Sequence, residues 1–194
     1  MATIGTLLVM TRTSRKLGLL GLVVLLGMGS AQASTAPVTT TKSDAAGRND
    51  AGGNKTKNYI SEGFFVGGER TVTATKLKDI RRANSGEGFE RVVFDLEPLT
   101  DDRNALPYFQ VQPAVGGGGL VISIWGDVAY DFDGKKIRKA FEKSAHVKRL
   151  NVLPQVEDGL AIIELILDPA KSGKKTKFEV FRLTQPARII VDIL

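Results

Sequence analysis

The sequence predicts an all-β sandwich: two small antiparallel sheets, a pseudo-twofold internal repeat and one inserted short helix. The first sign is a series of short apolar runs, several alternating with period two and separated by turns containing Gly or Pro. The second is a repeat. Glu97-Pro98 and Asp168-Pro169 each end an apolar run, 71 residues apart (169 − 98). The third is that one stretch, opening at Asp133-Gly134, places apolar residues at helical spacings of three and four.

Length and composition set the outer bounds. The 194 residues are 42% hydrophobic and 25% charged, enough for one domain with a proper core plus extra segments. Cysteine is absent, which excludes disulfides, thiolate nucleophiles and cysteine metal sites. Arg12, Arg15 and Lys16 precede the apolar run Leu17–Gly29, and Ala31-Gln32-Ala33 follows. Charged, apolar and small residues in that order predict a cleaved signal peptide over residues 1–33, hence a periplasmic protein. Initiation at Met10 would shorten its charged region. The apolar run falls short of the roughly 20 residues of a spanning helix, so no stable membrane span is expected after cleavage. Cleavage removes three positive charges and no acid, taking the net charge from +6 to +3 (6 − 3). So mild an excess gives no case for nucleic acid, and suits an anionic wall surface or no charged partner at all.

Residues 34–58 are mostly Ala, Thr, Gly, Lys, Asn and Asp, and are expected to form a disordered spacer. The domain is expected over 59–194. Tyr59-Ile60 and Phe64–Val66 read as a short strand or lid at its edge. Thr71–Ile80 reads as a strand with Val72, Ala74, Lys76, Lys78 and Ile80 on one side. Asn84–Gly88 is a turn by composition. In Phe89–Leu96, Val92, Phe94 and Leu96 face inward. A polar loop leads to the strand around Phe109 and Val111, and Gly116–Gly119 connects it to Leu120–Gly126, continuous enough to lie near a sheet centre. Asp127–Ala145 reads as a helical insertion, with Asp133 as N-cap, Ile137, Ala140, Phe141 and Ala145 inward, and a lysine-rich outer face. His146–Leu153 and Leu160–Leu167 are strands around a turn at Val156–Gly159, and Lys171–Lys177 is a basic loop.

The chain closes with Lys177–Leu194, two apolar runs joined by Thr-Gln-Pro-Ala. Glu179, Phe181 and Leu183 oppose Phe178, Val180 and Arg182; Ile189, Val191 and Ile193 oppose Arg188, Ile190 and Asp192. In pattern, Phe109-x-Val111-x-Pro113 corresponds to Phe181-x-Leu183 with Pro186, and LVISI to ARIIVDI. FERVVFDLEP and EVFRLTQPARIIVDI resemble the strand motifs of the AMIN domain, the non-catalytic envelope-targeting domain of some periplasmic amidases and secretins. The resemblance covers about residues 73–194. It implies two packed antiparallel β units and association with peptidoglycan. The chain departs from that pattern in its Gly-rich first-half loop, in LAIIELIL, which lacks the Arg and Asp, and in the helical insertion.

Catalytic motifs are missing from the sequence. His146 is the single histidine, and no H-E-x-x-H, G-x-S-x-G or phosphate-loop pattern occurs. Asp127, Asp131 and Asp133 lack the spacing of a calcium loop. No enzyme activity, cofactor or metal is therefore expected. Candidate contacts to a glycan or partner are Tyr108 beside a proline, Tyr130 in a polar connection, Lys135 and Lys139 on the helix, and Arg188 and Asp192 on the closing hairpin. Arg188 and Asp192 serve equally as cross-strand ion pairs. Trp125 and Phe109 are expected in the core. The expected function is a non-catalytic module binding peptidoglycan or another envelope polymer. The alternative is a protein–protein adaptor, recruiting a separate envelope protein in a secretin-type secretion complex. A polar sheet face bearing aromatics favours the first, and an exposed apolar edge strand the second.

Overall fold

Eleven strands and two helices are laid down in a computed structural model that describes residues 47–153, 159–172 and 176–194. The predicted signal peptide, the predicted spacer before residue 47, residues 154–158, which include most of the predicted turn, and residues 173–175 of the basic loop lie outside the described residues. The elements are β1 (Arg48–Asp50), β2 (Phe64–Gly67), β3 (Ala74–Asn84), β4 (Glu90–Pro98), β5 (Phe109–Pro113), β6 (Gly119–Trp125) and β7 (Asp127–Tyr130). Helix α1 (Gly134–Phe141), β8 (Val147–Val152), β9 (Leu160–Leu167), α2 (Pro169–Ser172), β10 (Phe178–Thr184) and β11 (Ala187–Ile193) follow.

The strands form two sheets packed as a sandwich, as the alternation predicts. Sheet A runs β1-β2-β5-β6-β9-β8 and sheet B runs β10-β11-β4-β3-β7. Neither is purely antiparallel: β1 joins β2, and β7 joins β3, in parallel. Phe94, Phe109, Ile122, Leu165, Phe178 and Ile189, drawn from both sheets, are among the fully buried residues of one core. Ile137 and Phe141 of α1 are buried in that core. The helix begins where predicted, with Asp133 accepting from the Lys135 and Lys136 amides at 2.8 and 3.2 Å.

The internal repeat is present in the pairing itself. Each sheet combines one hairpin from each half: β3-β4 lies beside β10-β11, and β8-β9 beside β5-β6. Exchanging the halves maps the order β10-β11-β4-β3 onto β5-β6-β9-β8, with β1, β2 and β7 outside the repeat. The irregularities agree as well. β3 bulges between Leu77 and Asp79 opposite β4, and β8 between Val147 and Arg149 opposite β9. The register corrects the aromatic match. Phe109 pairs with Ile124 and Val111 with Ile122; Phe178 pairs with Ile193 and Val180 with Val191. Phe109 therefore corresponds to Phe178, 69 positions later (178 − 109), and not to Phe181. Likewise Val111 corresponds to Val180, and not to Leu183. Two short F-x-[VL] patterns three residues apart cannot be ranked locally; the ladder ranks them.

Other expectations change for similar reasons. In β3 the buried residues are Thr75, Leu77 and Ile80, because the bulge shifts the phase between the second and third. Lys76 and Lys78 consequently do not share a face with Ile80. Asp127–Ala145 is not helical throughout, since its first four residues form β7. Gly126 makes that possible. Its φ is +111°, and a Cβ there would sit 2.7 Å from the Thr73 carbonyl oxygen.

The spacer boundary also moves. Residues 47–58, assigned to it by composition, are built into the fold. Arg48–Asp50 pairs with β2, Ala51 is 2% exposed, and Arg182 N–H donates to the Gly52 carbonyl at 2.9 Å. The Thr56 amide and hydroxyl both donate to Glu179, at 2.6 and 2.9 Å. This strap crosses the outer face of the closing hairpin and is polar because it meets polar groups there.

Candidate functional site

The two inner faces are alike, but the two outer faces are not. On sheet B the outward side chains are largely occupied with one another or with the strap. Asp95 accepts from Arg81 Nη2 and Arg188 Nε, each at 2.8 Å, and also from Arg81 Nε. Asp192 is fully buried and accepts from Arg91 Nε and Nη2 at 2.7 and 2.8 Å, with Lys55 Nζ at 3.0 Å. Asp79 pairs with Lys136 of α1 at 2.8 Å.

The charge cluster around Asp95 has a pH signature. Burial works against ionisation of Asp95, but the hydrogen bonds and charges of Arg81 and Arg188 outweigh it and hold the carboxyl below its ordinary range. A lowered folded-state pKa gives stability that is present above 3.8, the ordinary value, and lost as pH falls through the folded pKa. Asp95→Asn should cost about 1 kcal/mol at pH 7 and none once Asp95 is protonated in the folded as well as the unfolded state. Urea melts from neutral pH to below 3.8 check it; an equal cost at both ends would exclude the ion pairs as the source.

Sheet A presents a different surface. Alternation turns Leu120, Ile122 and Ile124 inward and leaves Val121, Ser123 and Trp125 of β6 outward, half-buried. Register sets Trp125 next to Leu160, Ser123 between Gln110 and Ile162, and Val121 between Gln112 and Glu164, with Asn151 beyond. Gln110 Nε2 donates to Gln112 Oε1 at 2.6 Å, and Asn151 Nδ2 to Glu164 Oε2 at 3.1 Å. At one end of this amide-and-carboxylate row stand two aromatics. The Tyr108 and Trp125 rings lie 5.0 Å apart, and the Arg70 guanidinium sits 4.5 Å from the Tyr108 ring centroid. The Trp125 amide donates to the Tyr108 carbonyl at 2.9 Å, which fixes the backbone under the pair.

The residues singled out from sequence do not converge. Tyr108 belongs to the sheet A face. Tyr130, 37% exposed, is at the end of β7, where its hydroxyl donates to the Leu153 carbonyl at 3.3 Å and its ring lies 5.8 Å from Phe132. Lys135 and Lys139 are exposed on α1. Arg188 and Asp192 take the cross-strand ion-pair role, and Asp192 is closed to any ligand by burial. Trp125, expected in the core, is the residue misplaced. Its parity with Val121 and Ser123, opposite to Leu120, Ile122 and Ile124, carries that information in the sequence. Phe109 is in the core as expected, 0% exposed.

The three aspartates before the helix have separate tasks. Asp133 caps α1, Asp131 pairs with Lys78, and the Asp127 amide donates to the Thr73 carbonyl at 2.8 Å. Among the described residues no group of three or more His, Cys, Asp or Glu converges as a metal site, and no helix is long and apolar enough to cross a membrane. The His146 amide donates to Glu90, a buried carboxylate that also accepts from Ser144 and Arg82 and ties β4 to the start of β8. No family model, curated protein or solved structure matches the chain.

Proposed function

We propose that this chain is a non-catalytic envelope module that binds peptidoglycan glycan strands on the outer face of sheet A. The observation that carries the reading is the row of Gln110, Gln112, Glu164 and Asn151 ending at the Tyr108–Trp125 pair. Sugars offer hydroxyls and amides along their edges and C–H groups on their faces. Amide and carboxylate side chains match the first and aromatic rings the second. The resemblance of the strand motifs to those of AMIN domains and the expected signal peptide are consistent with that reading. The adaptor reading is favoured by one observation, the outer edge of β8, which has no strand partner among the described residues.

The test is sedimentation with purified insoluble peptidoglycan at low and high salt. Binding that survives salt supports glycan recognition. Binding lost in salt reduces it to attraction by a basic surface, since screening lengths shrink to about 3 Å at 1 M. No sedimentation at either salt would sink the wall-binding reading. Trp125→Ala should weaken binding about tenfold, equivalent to about 1.4 kcal/mol. A thermal melt checks that the variant keeps its fold.

A further inference from the structure

We propose that the outer edge of β8 and the apolar groove beside it form a docking site for an extended acidic segment of a partner protein, which adds to sheet A as a further strand. This proposal does not rest on the glycan reading, although Asn151 of β8 lines both the groove and the glycan face.

The internal repeat makes the edge conspicuous. The register equates Ile80 with Leu150, since Phe94 and Leu165 occupy matching places. The β3 edge is covered: β7 pairs along its first residues, and further on Arg82 Nε donates to the Ala140 carbonyl of α1 at 2.6 Å. Ile80 is accordingly 1% exposed, whereas Leu150 and Val152 are only partly buried. The Leu153 amide donates to the Ile162 carbonyl at 2.9 Å, and Asn151 and Arg149 share its phase. In an antiparallel ladder the intervening residues turn their main-chain groups the other way. The N–H and C=O of Leu150 and Val152 therefore point to the open side, and no main-chain bond occupies them among the described residues.

Beside this edge runs a cavity of about 710 Å³ between β8 and α1, with Phe132, Ile137, Phe141, Leu150 and Val152 along its apolar wall. An added strand would bond the edge with its main chain and place alternate side chains in the groove. The rim selects the sign of the partner. Arg138, Lys148 and Arg149 line it and are exposed, with Glu142 the single carboxylate among the described lining residues. Among the described residues these three cations have no ion-pair partner. A second copy would set Lys148 and Arg149 against their own kind, which discourages edge-to-edge pairing of identical chains. An acidic strand meets no such penalty.

The chain as produced from Met1, isotopically labelled, would be titrated with a blocked hexapeptide of alternating glutamate and valine, and with its lysine–valine counterpart. The glutamate peptide should slow hydrogen exchange at the Leu150 and Val152 amides, with binding that weakens as salt rises; the lysine peptide should do neither. Lys148→Glu with Arg149→Glu should weaken glutamate-peptide binding about tenfold. Val152→Pro removes an outward N–H while leaving the β9 ladder intact, and should abolish it. If that variant does not fold, the charge reversal and the exchange pattern still decide. Absence of saturable binding, equal binding of both peptides, or protection confined to other strands would each overturn the proposal. So would peptide-free, concentration-dependent protection of the same two amides, which would assign the edge to a second copy.

Discussion

Phe178→Ala is expected to cost about 4 kcal/mol of unfolding free energy and Phe109→Ala about the same, while Phe181→Ala costs about 2. Phe178 and Phe109 are both 0% exposed and face the interior at equivalent places in the two sheets. Phe178 also packs edge-on against Phe65, with ring centroids 5.7 Å apart, and its amide and carbonyl both bond Ile60. The gap left by truncation lies between two sheets that cannot both close over it. Phe181 is 6% exposed and lies outside the main core, with the Arg91 guanidinium 5.0 Å from its ring centroid. Water and the arginine stem can fill part of its place. Urea melts of the three variants give the ranking. If Phe181→Ala proved the costliest, the register equating Phe109 with Phe178 would be wrong.

Asp192→Ala is expected to cost about 3 kcal/mol and to loosen the strap over residues 51–58. Asp192 is 0% exposed and serves two cations from different parts of the chain, Arg91 on β4 and Lys55 on the strap. Lys55 Nζ also lies 3.3 Å from the centroid of the Phe89 ring. Burial works against the charge on Lys55, but its bonds to Tyr59 and Asp192 outweigh that and raise its pKa. Without the carboxylate, the two cations are left partly buried with their common partner gone. Asp192→Asn keeps the shape and one acceptor, and should lose about half as much. Hydrogen exchange at Thr56, whose amide bonds Glu179, reports on the strap. A large loss of stability with unchanged Thr56 protection would mean that other contacts hold the strap.

Much of this architecture is written locally. Val92, Phe94 and Leu96 alternate with period two and are buried, and so are Ile163, Leu165 and Leu167 in the equivalent strand. Asp133 caps its helix because a carboxylate ahead of a run with helical spacing meets free amide groups whatever surrounds it. The spacing of the two acid-Pro pairs betrays the repeat for the same reason, since each ends its own strand.

The candidate site was less legible. The sequence marks Tyr108 as a surface aromatic by its neighbouring proline but hides its partner Trp125 in an apolar run, and Gln110, Gln112, Glu164 and Asn151 stand out only once three strand ladders set them side by side. Arg188 and Asp192 were suitable for a ligand or an ion pair until strand pairing supplied Asp95 and Arg91.

Taken alone, the sequence determined most of the strands but not β1 or β7, which side chains turn inward in most of those it found, where the first helix starts, and that two similar halves exist. All of these follow from interactions between residues a few positions apart. Only the tertiary structure decided that each sheet takes a hairpin from each half, that residues 47–58 form a strap, and that sheet B spends its outer charges on itself while sheet A leaves an open face. The physical reason is that two halves with the same inward pattern satisfy burial equally in several pairings. Register, the phase-shifting bulges and contacts across more than a hundred residues, such as Thr56 to Glu179, select among them.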